Sequence, residues 1–239
     1  MPNTFFKFKQ FTVCQDHCAM KVGTDGVLLG AWTNVNECDR LLDIGTGTGL
    51  IALMLAQKNC DAHIDAIEID ENCVLQAKQN VSRSGFAYQI GIQKISFQDY
   101  LNVAERKYDL IVSNPPYFQN ALKSTDIYRN FARHDTTLSF TEIISESGSL
   151  LKERGRISLI LPFDFKRKVI EDAINSNLFP CRITNVFPLP HKPAKRLLIE
   201  LVKDEATTTC IENNLVIESS RHQYSGEFKS LTCDFYLDK

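Results

Sequence analysis

The chain has little that would place it outside the ordinary soluble globular class. No apolar run is long enough to cross a membrane: the longest, Leu41 to Ala56, contains Asp43 and three glycines. The opening Met-Pro-Asn-Thr-Phe-Phe-Lys-Phe-Lys-Gln carries lysines where a signal peptide needs an apolar core, so a cytoplasmic protein is expected. There is no CxxC pair among the eight cysteines at 14, 18, 38, 60, 73, 181, 210 and 233. Without an export signal these are expected to be reduced, mostly buried and free of disulfides. Cys14, His17 and Cys18 lie close together, but no second ligand pair completes a metal site, so no metal is expected. Strong charge of either sign is also missing. A net charge of −2 gives no global attraction to nucleic acid, so any such contact must come from a local basic face.

Internal repeats, low-complexity segments and charge blocks are absent too. What remains is a chain of 239 residues, 44% hydrophobic and 23% charged, long enough to bury a full core. Apolar runs of strand length alternate with longer amphipathic segments, the pattern of βαβ units and a parallel sheet. Strands are predicted at Arg40–Ile44, His63–Ile69, Ile90–Ser96, Tyr108–Ser113 and Arg156–Leu161, and helices at Gly49–Lys58, Glu71–Ser84, Ser139–Leu150 and Phe165–Ser176. Then the rhythm changes. Ile183–Phe187 and Arg196–Val202 read as two strands joined by Pro188-Leu-Pro-His-Lys-Pro-Ala, too short for a crossover helix, which requires antiparallel pairing. Parallel βα units closed by such a hairpin resemble the class I S-adenosylmethionine-dependent methyltransferase fold. That likeness implies a Rossmann-like α/β architecture: a mostly parallel seven-stranded sheet whose last strand is antiparallel. Residues 1–39 are expected to form a small N-terminal cap, 40–203 a cofactor-binding catalytic domain, and 204–239 an extended tail packed on the same body.

Asp43-Ile44-Gly45-Thr46-Gly47-Thr48-Gly49 follows the first of these strands. Glycines at this place let the backbone turn sharply and approach a ligand without Cβ clashes, and the following helix offers unpaired N–H groups. The third glycine comes one residue too early for the dinucleotide fingerprint, and no Gly-Lys-Ser/Thr follows to make a P-loop. The pattern resembles motif I of S-adenosylmethionine-dependent methyltransferases, with a structural glycine turn as the plainer alternative. Glu68, at the end of the second strand, can accept both ribose hydroxyls, a role Asp70 could also fill. Asp99 matches the position that accepts the adenine amino group, and reads equally as a helix N-cap. Asp43 lies beside the loop and can orient the methionine end.

Asn114-Pro115-Pro116-Tyr117 stands after the run Leu110-Ile111-Val112. Two prolines fix φ and remove two N–H donors, so the loop presents mainly acceptors. The Asn114 side-chain oxygen and the Pro115 carbonyl can both accept from one planar –NH2 group. This matters because such a lone pair is delocalised and a poor nucleophile until the developing positive charge is stabilised. Tyr117 supplies a ring for stacking on a planar substrate. No strong base is needed, since the proton can leave after methyl transfer.

Loops of this type are shared by enzymes that methylate adenine N6 in DNA or RNA, cytosine N4, guanine N2 in ribosomal RNA, and the glutamine amide of release factors. The flanks discriminate. Phe8-Lys-Gln-Phe-Thr-Val-Cys-Gln-Asp, the block from Ala19 through Lys21 to Trp32, Asn114 to Phe118, Ala132-Arg133-His134 and Asp234 to Leu237 closely resemble the valine tRNA adenine-37 N6-methyltransferase family over nearly the whole chain. The resemblance implies S-adenosylmethionine as donor and an anticodon-loop adenine as acceptor, with Lys21, Thr24 and Asp25 near the methionine end of the cofactor. Phe118, Arg133 and His134 would then face RNA. Gln119-Asn120 departs from the family, where glycine is common. Only some 40 residues precede the first predicted strand, too few for the helical N-terminal domain usual in the glutamine enzymes, and no repeat suggests a duplicated guanine enzyme. Basic residues cluster at Lys166-Arg167-Lys168, at Lys192, Lys195 and Arg196, and at Arg129 and Arg133. The Lys192–Arg196 group, on the predicted hairpin, is expected to meet an RNA backbone. No membrane and no obligatory protein partner is indicated.

Overall fold

The computed structural model describes residues 3–18, 20–116, 138–203 and 209–237. A short hairpin, β1 (Phe5–Lys7) and β2 (Thr12–Cys14), leads into helix α1 (Thr24–Trp32). Next come β3 (Arg40–Ile44), α2 (Leu50–Lys58), β4 (His63–Glu68), α3 (Glu71–Ser82), β5 (Ile90–Lys94), α4 (Phe97–Val103) and β6 (Tyr108–Ser113). After residue 137 the chain continues with α5 (Phe140–Ser147), β7 (Leu151–Pro162), α6 (Lys166–Asn175), β8 (Phe179–Phe187) and β9 (Arg196–Val202). It ends with β10 (Ile211–Val216), a small hairpin β11 (Glu218–Ser220) and β12 (Gln223–Tyr224), and α7 (Gly226–Thr232).

The main sheet has the order β10-β8-β9-β7-β6-β3-β4-β5. Every neighbouring pair is parallel except those made by β9, which runs antiparallel to both β7 and β8. The chain therefore has the expected class I methyltransferase sheet, the antiparallel strand arising because the connection 188–195 is too short to cross over. Two differences from the sequence reading stand out. The tail adds an eighth strand, β10, parallel to β8. It also ends in a helix rather than an extended segment, started by Ser225, whose hydroxyl accepts the Phe228 N–H at 3.0 Å.

Helices flank both faces. One core joins α1 and α2 to β3, β4 and β6, and the other joins α4, α5 and α6 to the opposite face. α2 is buried from Leu50 to Ala56, and α1 from Gly26 to Trp32. Their close approach depends on glycine: a Cβ on Gly30 would meet Met54 Sδ at 2.7 Å. The first strands and the C-terminus close this face together. Phe8 stacks on Tyr236 with centroids 6.0 Å apart, and Lys9 N–H donates to the Phe235 carbonyl.

The expectation of fully reduced cysteines fails for one pair. Cys18 and Cys73 form a disulfide across 55 residues of sequence. The segment after β2 lies along α3, where Asn80 exchanges hydrogen bonds with the Cys14 backbone and Gln76 accepts the His17 N–H. The same helix face then presents Cys73 to Cys18. Among the described residues no group of three or more His, Cys, Asp or Glu could hold a metal, and no helix is long and apolar enough to cross a membrane.

Candidate active site

The glycine loop follows β3 at the C-terminal edge of the parallel strands. Gly45, Gly47 and Gly49 have φ of +72°, +56° and +82°, the left-handed region that side chains rarely adopt. All three glycines are thus dictated by backbone geometry. A Cβ on Gly45 or Gly47 would meet nothing within 4 Å, so the loop faces open space. Its far end is braced by Asn80, whose Nδ2 donates to the Thr48 carbonyl at 2.9 Å.

Two carboxylates frame the loop. Glu68 Oε2 accepts the Gly47 N–H at 2.9 Å, while Oε1 accepts those of Ile69 and Asp70 at 2.8 and 3.0 Å. This fixes Glu68 against the loop, and Asp70 is left to cap α3 through the Cys73 N–H. Asp43 is fully buried, with Oδ2 accepting the Thr46 hydroxyl at 2.6 Å. Its Oδ1 is buried without a hydrogen-bond partner among the described residues. Burial pushes this carboxyl up to about 7, against the Thr46 hydroxyl and the Ala52 N–H, with Glu68 adding a further push. A buried acceptor without a donor is costly, so it marks a place where a cationic or N–H group belongs.

β6 lies beside β3, with Ser113 opposite Ile44, and the Ser113 hydroxyl ties the two strand ends by donating to the Ile44 carbonyl at 2.8 Å. Neighbouring strands stand about 4.8 Å apart. Gly45 and Asn114, the next residues on each strand, therefore lie side by side at the same edge of the sheet. Asn114 Oδ1 is itself buried and without a hydrogen-bond partner among the described residues. Pro115 is buried and Pro116 exposed. Tyr117, Phe118, Arg133 and His134 lie outside the described residues.

The β8–β9 connection, residues 188–195, reaches the same edge of the sheet because Arg196 pairs with Pro162 at the end of β7. Lys192 and Lys195 are exposed there, and no acid pairs with them among the described residues. Arg196 differs: its Nε donates to Asp25 Oδ2 at 2.8 Å. The triplet after Phe165 is also internally satisfied, since Lys166, Arg167 and Lys168 meet Glu212, Glu171 and Asp172.

A family model described as "Methyltransferase small domain" matches residues 19–175. A protein of Parabacteroides distasonis named tRNA1(Val) (adenine(37)-N6)-methyltransferase is 49% identical over 237 residues, covering 99% of each chain. One of the same name from Trichodesmium erythraeum is 45% identical over 97% of each chain. The chain belongs to this methyltransferase family. Among solved structures, a predicted O-methyltransferase from Agrobacterium tumefaciens superposes with a TM-score of 0.68 over 88% of this chain and 96% of its own, at 18% identity, which speaks for the fold alone.

Within this methyltransferase the residues singled out in the sequence fall into three groups. Asp43, Gly45, Gly47, Gly49, Glu68 and Asn114 lie together at the C-terminal ends of the neighbouring strands β3, β4 and β6. Asp99 sits exposed in the first turn of α4, where it forms a reciprocal cap: its N–H donates to Ser96 Oγ, and the Ser96 hydroxyl donates back to Asp99 Oδ2 at 2.7 Å. Ser96, not Asp99, is the N-cap. Lys21 and Thr24 are exposed ahead of and at the start of α1, and Asp25 is half-buried against Arg196. Sequence reasoning overlooked Ile69, which follows Glu68 and is 64% exposed beside the loop. The sequence reading places it as the last residue of the strand His63–Ile69, whereas the strand ends at Glu68 and leaves Ile69 exposed. Thr46 and Ser113 were also overlooked: the Thr46 hydroxyl donates to Asp43 three residues earlier, and the Ser113 hydroxyl to Ile44 in the neighbouring strand.

Proposed function

We infer that this chain transfers a methyl group from S-adenosylmethionine to the exocyclic N6 of adenine 37 in the anticodon loop of a valine tRNA, in the cytoplasm. The observation that carries this reading is the pairing of two orphaned acceptors, Asp43 Oδ1 and Asn114 Oδ1, on adjacent strand ends around one glycine cradle. The cofactor fits the residues present. Asp43 Oδ1 would hold the α-ammonium of the methionine part, directly or through water. Glu68, already aimed across the loop by Gly47, accepts the ribose hydroxyls with its remaining lone pairs. The exposed side chain of Ile69 would offer an apolar surface to the adenine, and Asp99 an acceptor for its amino group. Lys21, Thr24 and Asp25 close the methionine end.

When bound, the cofactor supplies an electrophilic methyl on a sulfonium. The chain's own part is to hold the amine. Asn114 Oδ1 and the Pro115 carbonyl accept its two N–H groups, favouring the charge that develops on nitrogen and excluding water from it. Tyr117, Phe118, Arg133 and His134, outside the described residues, are assigned to the base and to the loop backbone by the family resemblance alone. An anticodon-loop adenine is already unpaired, so bringing it into the pocket costs less than extruding a duplex base. Lys192 and Lys195, on the same edge, meet phosphates.

Incubation with labelled donor and either total tRNA or release factor, followed by nucleoside and amino-acid analysis, tests the assignment. N6-methyladenosine in the valine tRNA fraction is expected; methylglutamine or labelled ribosomal RNA would overturn it.

The Asp43 carboxyl makes a second, independent prediction. Its folded-state value of about 7 lies above the unfolded 3.8, so without ligand folding favours the protonated form and the carboxylate costs stability as pH rises toward 7. An ammonium partner favours the carboxylate and must displace that proton below pH 7. Affinity for S-adenosylhomocysteine should therefore weaken about tenfold for each unit of pH below about 7. Calorimetry at three pH values checks this. Asp43→Asn should bind more weakly and lose most of the dependence; a flat wild-type profile would refute the role.

A further inference from the structure

We propose that Arg196 is a positioning residue for the cofactor site rather than a contact to RNA. Its guanidinium, paired with Asp25, fixes the first turn of α1 against the glycine loop. This rests on the cofactor site described above, and it concerns a residue whose sequence context suggested phosphate binding.

The two partners are 171 positions apart, with a 2.8 Å Nε–Oδ2 bond and side chains only 27% and 22% exposed. That separates the pair from the solvated surface ion pairs of the molecule, such as Arg167 with Glu171. The arginine is mounted on a stiff frame. Arg196 opens β9 opposite Pro162, the Phe163 N–H donates to the Lys195 carbonyl, and the Lys195 N–H donates to the Val186 carbonyl. A second guanidinium nitrogen donates to the Lys195 carbonyl at 3.0 Å, fixing the fork in direction.

The aspartate is mounted on the opposite kind of support. α1 starts after Gly23 with no side-chain cap, and Lys21, Gly23 and Thr24 ahead of Asp25 are exposed. Asp25 is the acid of the first turn, where the helix dipole favours negative charge. The next residue, Gly26, lies so close to α2 that a Cβ would meet Leu50 Cδ2 at 3.0 Å. Leu50 is the first residue of α2, directly after Gly49 of the cofactor loop. Force on Asp25 is therefore passed in one step to the end of the cradle. The Arg196 Nε–H and one Nη1–H are directed at Asp25 and the Lys195 carbonyl, whereas Lys192 and Lys195 on the same hairpin are exposed and meet no acid among the described residues.

Arg196→Met and Arg196→Lys, with the double variant Lys192→Ala/Lys195→Ala for comparison, test this in the full chain. Calorimetry with S-adenosylhomocysteine should show Arg196→Met weakened about tenfold, with Arg196→Lys restored to within about threefold because an ammonium can still meet Asp25. The KM for the methyl donor should rise in the same order, with kcat at saturation changed less than about threefold. The salt dependence of tRNA binding should stay at the wild-type slope in both Arg196 variants, and fall by about 0.7 to 0.9 per lysine removed in the double variant. Thermal melting without ligand confirms that each variant folds, and if Arg196→Met does not, Arg196→Lys against wild type decides. Wild-type cofactor affinity in Arg196→Met, or a reduced salt slope in either Arg196 variant, would overturn the proposal. A wild-type chain that does not bind S-adenosylhomocysteine at all would fail the cofactor reading itself and remove this inference with it.

Discussion

Asn114→Ala should lower the rate of methyl transfer by about 10²–10³-fold while leaving cofactor affinity within about twofold of wild type. The expectation follows from where the acceptor is. Asn114 Oδ1 sits just after β6, buried and without a partner among the described residues, one strand from the glycine loop. Ser113 pins this strand end by donating to the Ile44 carbonyl, so the residue after it is held without help from substrate. Such an acceptor gains most when positive charge appears on the amine, which happens in the transition state, so its loss falls on kcat rather than on cofactor binding. Asn114→Asp provides a sharper comparison. It keeps an acceptor but places a charge where burial disfavours it, and should recover only part of the loss. Single-turnover methylation, with calorimetry on the same preparations, separates the two quantities. Turnover near wild type in Asn114→Ala would show that the amine is held elsewhere.

Glu200→Ala should destabilise the fold by about 3 kcal/mol, the low end of what breaking a buried ion pair costs. Glu200 is 4% exposed on β9 and accepts from Arg156 at 3.4 Å, from Arg182 at 3.2 Å and from the Ser158 hydroxyl at 3.1 Å. Arg182 also lies over the Trp32 ring, 3.6 Å from its centroid, and donates to the Trp32 carbonyl. Beyond it stands Lys58, whose ammonium reaches the Gly30, Ala31 and Thr33 carbonyls at the end of α1. Burial, with Arg182 adding to it, brings the Lys58 ammonium down to about 8, while Glu200 helps to hold the charge. Removing Glu200 leaves three cations around one helix end. The arginines retain some exposure, which is why the lower figure applies. Urea unfolding should show a lower midpoint with an unchanged slope, and Glu200→Gln should fall between the two. A midpoint unchanged in Glu200→Ala would mean that solvent already screens the cluster.

The parts of the site legible in the sequence are those fixed by backbone chemistry. Three glycines at left-handed φ and two prolines after a strand have few alternative uses, so both loops and their places after β3 and β6 could be anticipated. β3 and β6 match the expected bounds for a related reason, since their apolar runs end at Gly45 and Asn114, while β9 is an apolar run bounded by Lys195 and Lys203. What stayed hidden depends on partners far along the chain. α1 is apolar on every side and holds two glycines, so it shows no helical stripe even though it is buried almost throughout. β10 begins with four exposed residues, Ile211 to Asn214, and only its pairing with β8 identifies it as a strand. Nothing local links Cys18 to Cys73, or Arg196 to Asp25. The Lys166–Lys168 run read as a basic patch, although each of its charges meets an acid on its own helix or on β10.

The most direct test of the central claim uses an unmodified valine tRNA transcript and a second one carrying guanine in place of adenine 37. With labelled S-adenosylmethionine, the first should take up about one methyl group per molecule, released as N6-methyladenosine on digestion, and the second should take up none. Equal labelling of the two transcripts, or a methylated nucleoside other than N6-methyladenosine, would contradict the account.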